Sequence, residues 1–179
     1  DALPICPAMS SERRQLLALC LNPAWQKTLI FAQFTTGAVN RAERLCEAGG
    51  GKGINAARAI RLAGGTVSVA LFAGGHTGDQ LRAELKAAGS GEISVSVDTP
   101  TRTCTTIVDR AAGTVTELIE PSGRVSAEQV DALRERILAA LPGGAAVALC
   151  GTVPPGVPES FYGDIARAAM QEAIEEGLG

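Results

Sequence analysis

Gly49-Gly50-Gly51-Lys52-Gly53-Ile54-Asn55-Ala56-Ala57-Arg58-Ala59-Ile60 is the stretch with the clearest capacity for chemistry. Its glycines strip the backbone of side chains, so a ligand can approach the main chain closely. Ile54, Ala57 and Ile60 then recur at the spacing of one helix face. A glycine turn feeding a helix N-terminus is expected to aim free N–H groups and a positive dipole end outward. A phosphate or a sugar hydroxyl oxygen suits such a place. Lys52 adds a mobile positive charge, and Asn55 adds both a donor and an acceptor.

Two familiar phosphate-binding patterns do not account for it. A Walker A loop reads G-x-x-x-x-G-K-[ST]. Here Cys46 occupies the first glycine position and Gly53 follows Lys52. Gly51-x-Gly53-x-x-Ala56 does fit the dinucleotide pattern, but that pattern follows a hydrophobic strand and is answered by an acid about 20 residues later. Arg44-Leu45-Cys46-Glu47 precedes it instead, and the next strand ends in Ala73-Gly74-Gly75. A tight strand–helix turn without any ligand stays open at this point, because glycines punctuate ordinary turns.

The elements that would position these residues come from the rest of the chain. Leu16 to Leu21 is a continuous apolar run closed by Asn22-Pro23, and Thr66 to Ala73 is a second. Both read as strands buried on two faces, and Ala145 to Cys150 as a third. A helix is expected over 54–63, stopped by Gly64-Gly65. Another is capped by Thr77 or Asp79, carries Leu81 and Leu85, and ends at Gly89. Ser126-x-x-Gln129 is a capping box opening a helix with Val130, Leu133, Ile137 and Leu141 on one face. Pro158 starts a last helix running towards Glu176. Strands alternating with helices imply an α/β fold, a parallel sheet flanked by helices. Residues 28–47 and 101–120 break the alternation. They read as two insertions forming a small accessory β-sheet, the second a hairpin turning at Ala111-Ala112-Gly113. Such a sheet beside the strand ends is expected to act as a lid.

Composition narrows the class. A chain of 179 residues with 46% hydrophobic content and net charge −3 suits one globular domain. It offers no general attraction to nucleic acid or an anionic membrane surface. No apolar stretch is long enough to span a bilayer. Residues 1–15 read as a disordered leader rather than a signal peptide. The cysteines are odd in number and lack C-x-x-C spacing, which points to free thiols and a cytoplasmic setting. Cys20 and Cys150 read as small core residues. His76 sits in an apparent loop, Gly75-His76-Thr77-Gly78, and as the sole histidine makes a zinc site implausible. No metal site is expected from this chain.

Six separated motifs then agree in order: Leu21-Asn22-Pro23-Ala24, Gly37 to Glu43, Gly50-Gly51-Lys52-Gly53-Ile54-Asn55, Thr101-Arg102-Thr103, Glu120-Pro121 and Gly151-Thr152-Val153-Pro154-Pro155-Gly156. Over residues 16–170 the chain resembles the PfkB, ribokinase-like carbohydrate kinases, within them the 1-phosphofructokinase and tagatose-6-phosphate kinase branch. The resemblance implies a kinase transferring phosphate from ATP, with Mg2+, to a hydroxyl of a ketohexose phosphate. It implies that Gly50, Gly51 and Asn55 hold sugar hydroxyls, that Lys52 and Arg102 face the existing phosphate, and that Thr152 sits beside the transferred one. Arg102 suits its task because a guanidinium grips phosphate bidentately. It also implies a homodimer paired through the lid, for which Ile30, Phe31, Ile107 and Val108 are candidate contacts.

Two departures from the family stand out. Gln26 occupies the position of the acid that usually follows Asn-Pro-Ala and binds sugar hydroxyls. Further, no Gly-Ala-Gly-Asp occurs, so the general base and the glycine-rich anion hole are missing and the catalytic residue is unknown. Residues 171–179 do not lead into the strand expected next, and truncation of a longer kinase is the favoured reading. The alternatives are a non-catalytic sugar-phosphate-binding protein and a ribokinase- or nucleoside-kinase-like specificity.

Overall fold

Two apolar runs one residue out of phase on the same strand explain the core. Leu17, Leu19 and Leu21 point to one side of strand β1 (Leu16–Leu19) and its extension, and Ala18 and Cys20 to the other. The computed structural model describes residues 15–141, 146–175 and 177. The leader expected over 1–15 therefore lies outside the described residues up to position 14, as does Cys6.

The elements that follow are β2 (Ala24–Phe31), β3 (Arg44–Gly50), α1 (Lys52–Leu62), β4 (Val67–Ala73), α2 (Gly75–Ala87) and β5 (Gly91–Ser96). Then come β6 (Thr103–Asp109), β7 (Thr114–Ile119), α3 (Ala127–Leu138), β8 (Ala146–Leu149) and α4 (Phe161–Glu175). The strands form two sheets. One is parallel throughout, in the order β5-β4-β1-β8. β4 is buried along its whole length, as a central strand covered on both faces must be. Ile54, Ala57, Leu81 and Leu85 of α1 and α2 pack on one face. Val130, Leu133 and Ile137 of α3 with Phe161 and Ile165 of α4 pack on the other. α3 opens on the expected capping box: Ser126 Oγ accepts from Gln129 N and Gln129 Oε1 accepts from Ser126 N. A cap of this kind contributes about 1 kcal/mol.

The second sheet is separate, in the order β3-β2-β6-β7, with β2 and β6 parallel and both outer pairs antiparallel. It starts at Ala24 and closes at Gly50, so it takes in both flanks of the 28–47 insertion. Its hairpin turns where expected, with Gly113 at φ 66°.

Several local expectations give way. α1 begins at Lys52 rather than Ile54. α2 begins at Gly75, so His76 and Thr77 lie in its first turn rather than in a loop, and its N-cap is Gly74 without a side-chain cap. Gly74 is needed there because a Cβ would meet the Thr99 and Val97 carbonyl oxygens at 2.3 Å. α4 begins at Phe161, three residues past Pro158. It runs on through Gln171 to Glu175, part of the stretch read as an uncertain tail; Glu176, Leu178 and Gly179 lie outside the described residues. β8 is not a buried strand. It is an edge strand, and Leu149 is 40% exposed, because no described residue covers its outer side. β5, which no sequence signal marks, completes the opposite edge. No helix among the described residues is long and apolar enough to cross a membrane.

Candidate functional site

Each glycine before α1 is there for a different steric reason. At Gly49 a Cβ would lie 2.4 Å from Leu81 Cδ1. At Gly50 it would press on Gln26 Cβ at 3.2 Å. Gly51 is the N-cap of α1 at φ 125°, and its Cβ would sit 2.6 Å from Cys20 Sγ. Gly53 is closed off by Cys20 Cβ at 2.7 Å. The turn is thus wedged between β2, α2 and Cys20, the residue that follows β1.

Burial pushes the Cys20 thiol beneath the turn up, and the backbone N–H groups of Gly53 and Ile54 pull the other way. A raised, buried thiol is an inert packing group, as its place in an apolar run implied.

The candidate side chains converge at the C-terminal ends of the parallel strands. Arg102 lies just before β6, with its carbonyl accepting from Trp25 N at 2.8 Å. Its guanidinium is half-buried and donates from Nη2 to the Asn22 carbonyl at 3.2 Å and from Nε to the Pro23 carbonyl at 3.4 Å. Its charge also lowers the Cys20 pKa, against the larger effect of burial. Thr101, next to it, is held by Gly74: Thr101 N donates to Gly74 O at 2.8 Å, and Thr101 Oγ1 accepts from Gly74 N at 3.2 Å. Asn22 Nδ2 donates to Thr152 Oγ1 at 3.1 Å, and Asn22 Oδ1 accepts from Ser122 Oγ at 2.9 Å. Tyr162 OH donates to the Cys150 carbonyl at 2.9 Å and so steadies the chain just ahead of Gly151-Thr152; burial pushes its own pKa up to about 12.

Gln26 stands near the start of β2, where Nε2 donates to Thr106 Oγ1 at 2.6 Å. Its Oε1 lies 3.5 Å from where a Gly50 Cβ would be. Lys52 is exposed and, among the described residues, has no hydrogen-bond or ion-pair partner. Asn55 is exposed one turn further along α1. Gln26, Gly50 and Gly51 therefore adjoin one another, Gly51 adjoins Pro23, and Pro23 carries Arg102, while Asn22 carries Thr152. Lys52 and Asn55 extend the rim from Gly51.

Ser122, Thr106, Arg58 and Glu84 belong to this network without having been singled out. Ser122 had a signal, its place directly after Glu120-Pro121. Arg58 also had one, its i+3 spacing from Asn55 on a helix. Thr106 and Glu84 had none, because only tertiary folding brings them in. Among the described residues no group of three or more His, Cys, Asp or Glu side chains is placed to hold a metal ion.

Chains of known kind share this arrangement. The sequence profile of the pfkB family carbohydrate kinases matches residues 17–175. A tagatose-6-phosphate kinase of Staphylococcus epidermidis is 25% identical over 159 residues, 89% of this chain and 51% of its own length. A 1-phosphofructokinase of Haloferax volcanii is 34% identical over 154 residues, 86% of this chain and 49% of its own length. Phosphofructokinase-2 of Escherichia coli, solved in complex with fructose-6-phosphate, superposes with a TM-score of 0.81 at 26% identity, over 89% of this chain and 52% of that one. The chain thus spans about half the length of the curated relatives it matches. A parallel sheet carrying the glycine turn, a second sheet rooted beside it and a profile match over nearly every described residue agree: the chain belongs to the pfkB family of carbohydrate kinases.

Proposed function

We propose that this chain is the sugar-binding part of a kinase that transfers phosphate from ATP to a hydroxyl of a ketohexose phosphate, of the fructose 1-phosphate or tagatose 6-phosphate type. The observation that carries the reading is Arg102. Carbonyl oxygens of Asn22 and Pro23 fix its guanidinium at the strand ends, close to the glycine turn that bears the unpartnered Lys52. Two cations beside a stripped backbone suit a sugar that already carries a dianion. Gly50, Gly51, Gln26 and Asn55 line the adjoining rim and suit sugar hydroxyls, and Thr152 stands on the rim where a transferred phosphate would arrive.

The described residues do not form a magnesium site of their own. Magnesium and the nucleotide would draw their ligands from outside the described residues. What the chain's own residues do is bind and orient. The second sheet serves as a lid rooted at the site, through Gln26 on β2 and Arg102 beside β6, and shields it from water. The non-catalytic alternative draws on Gln26, which offers no charge where the family has an acid. An ADP-release assay separates the two. The longest natural polypeptide containing this sequence, hereafter the full-length protein, is expected to release ADP with at least one of fructose 1-phosphate, tagatose 6-phosphate and fructose 6-phosphate. Tight binding without ADP release points to the binding protein. Turnover only with ribose or a nucleoside points to the ribokinase-like specificity.

The lid also supports a homodimer. Ile30 and Val108 share its face with Val115 and Ile119, and the last two are 65% and 59% exposed. An open apolar face of this kind is a contact surface. Phe31 and Ile107 drop out as contacts, because both are buried on the opposite face. Sedimentation of the full-length protein at micromolar concentration is expected to give a dimer, and Val115→Asp to shift it towards monomer. A monomer throughout overturns this pairing. Four free thiols among the described residues support a cytoplasmic setting.

A further inference from the structure

Arg58 and Glu84 take no part in the proposed ligand contacts, yet they meet at the glycine turn. Arg58 Nη2 pairs with Glu84 Oε1 at 2.5 Å and also donates to the Gly49 carbonyl. Glu84 Oε2 accepts from Gly49 N at 2.5 Å. Arg58 Nη1 donates to Asn55 Oδ1 at 2.9 Å. Arginine and glutamate together thus hold both backbone polar groups of Gly49, and the same arginine reaches back one turn to Asn55. Both side chains are about one-third exposed, so the ring is only partly open to competing water.

The contact to Asn55 has a chemical consequence. A guanidinium has only donors, so the amide atom on it must be the oxygen. The oxygen and nitrogen of Asn55 are assigned by that partner rather than left interchangeable. With Oδ1 turned onto Arg58, Nδ2 lies at the far end of the amide, towards solvent or ligand, and it can only donate.

We propose that Arg58, braced by Glu84, is a positioning residue that fixes the glycine turn and orients the Asn55 amide so that its donor end, Nδ2, meets the ligand. The partner of Nδ2 is then an acceptor oxygen, a sugar hydroxyl lone pair or a carbonyl. The ligand half of this inference rests on the sugar-phosphate reading; the clamp itself does not.

The test has one arm with ligand and one without. In the full-length protein, fructose 6-phosphate is titrated against wild type, Arg58→Lys, Asn55→Ala and the double variant. Lysine keeps a charge for Glu84 but lacks the fork that reaches Asn55 as well. Each single change is expected to weaken binding about three- to tenfold, the worth of one hydrogen bond. The double variant is expected to lose less than the product of the two single losses, because Arg58 acts in part through Asn55. Losses that multiply overturn the positioning role. Without ligand, the side-chain amide protons of Asn55 are followed by NMR in wild type and Arg58→Lys. The pair is expected to move towards the shifts of a free asparagine, and Gly49 N–H to exchange faster. Unmoved signals overturn the clamp whatever the titration gives. If wild type binds none of the three sugar phosphates, the functional reading fails, and the NMR arm alone decides the clamp.

Discussion

Turnover by the 179-residue chain in a coupled ADP-release assay is expected to fall at least ~10^4-fold below that of the full-length protein, if the full-length protein carries Gly-Ala-Gly-Asp. Two separate losses set this magnitude. A positioned general base contributes about 10^2 to 10^4 in rate. Preorganised donors aimed at developing negative charge contribute about another 10^2 to 10^3 each. No Gly-Ala-Gly-Asp lies in this sequence, and phosphoryl transfer depends almost wholly on positioning and electrostatics. The rim described here supplies cations and hydroxyl partners for a sugar, but among the described residues no carboxylate cluster for a metal ion. Among the described residues nothing covers the outer edge of β8, where Leu149 is 40% exposed. Measurable turnover by the short chain with any of the three sugar phosphates would show that the catalytic parts have been assigned to the wrong stretch.

Much of this was legible because the signals are local or doubly determined. β1 and β4 are buried on both faces, so their apolar runs are continuous and need no phase. The capping box of α3 is contained in four residues, and it forms as written. The accessory sheet shows itself by a change of period, and its hairpin by a glycine at positive φ. What escaped depends on neighbours distant in sequence. Ala145 to Cys150 is as apolar as β1, yet β8 lies at an edge, and sheet order is not written in any one strand. β5, Gly-Glu-Ile-Ser-Val-Ser, carries too few apolar residues to stand out, and a one-sided edge position explains why. The start of α2 was misplaced because its N-cap is a glycine chosen for close backbone contact, while Thr77 spends its hydroxyl on the Thr101 carbonyl at 2.6 Å. At the site, residue types were readable and roles were not. The glycines of the turn were readable as a stripped backbone, whereas what each one clears, Leu81, Gln26 or Cys20, is set by elements distant in sequence. Arg58 and Glu84 are 26 positions apart, and nothing short of α1 and α2 settling on the same face of the parallel sheet brings them together.

Replacing Arg102 is expected to separate phosphorylated from unphosphorylated sugars. Two of its N–H groups are engaged by the Asn22 and Pro23 carbonyls, which leaves the remaining donors for a ligand. A hydrogen bond to a charged group contributes about 1.5–3 kcal/mol. Arg102→Ala in the full-length protein should therefore weaken fructose 6-phosphate binding roughly ten- to a hundredfold, since about 1.4 kcal/mol is tenfold. Fructose should hardly notice, because it has no phosphate contact to lose. Arg102→Lys should recover only part of the loss, for lysine keeps the charge but not the fork. The carbonyl contacts make the control essential. They brace Asn22-Pro23, and Asn22 in turn holds Thr152 and Ser122. If Arg102 serves only as that brace, its removal loosens the whole rim and both sugars lose affinity alike. If it reads the phosphate, the loss follows the phosphate and shrinks as salt screens the pair. Calorimetric titration of both sugars against wild type, Arg102→Ala and Arg102→Lys at two ionic strengths distinguishes the cases, and an equal loss for both would remove the main support for a phosphorylated substrate.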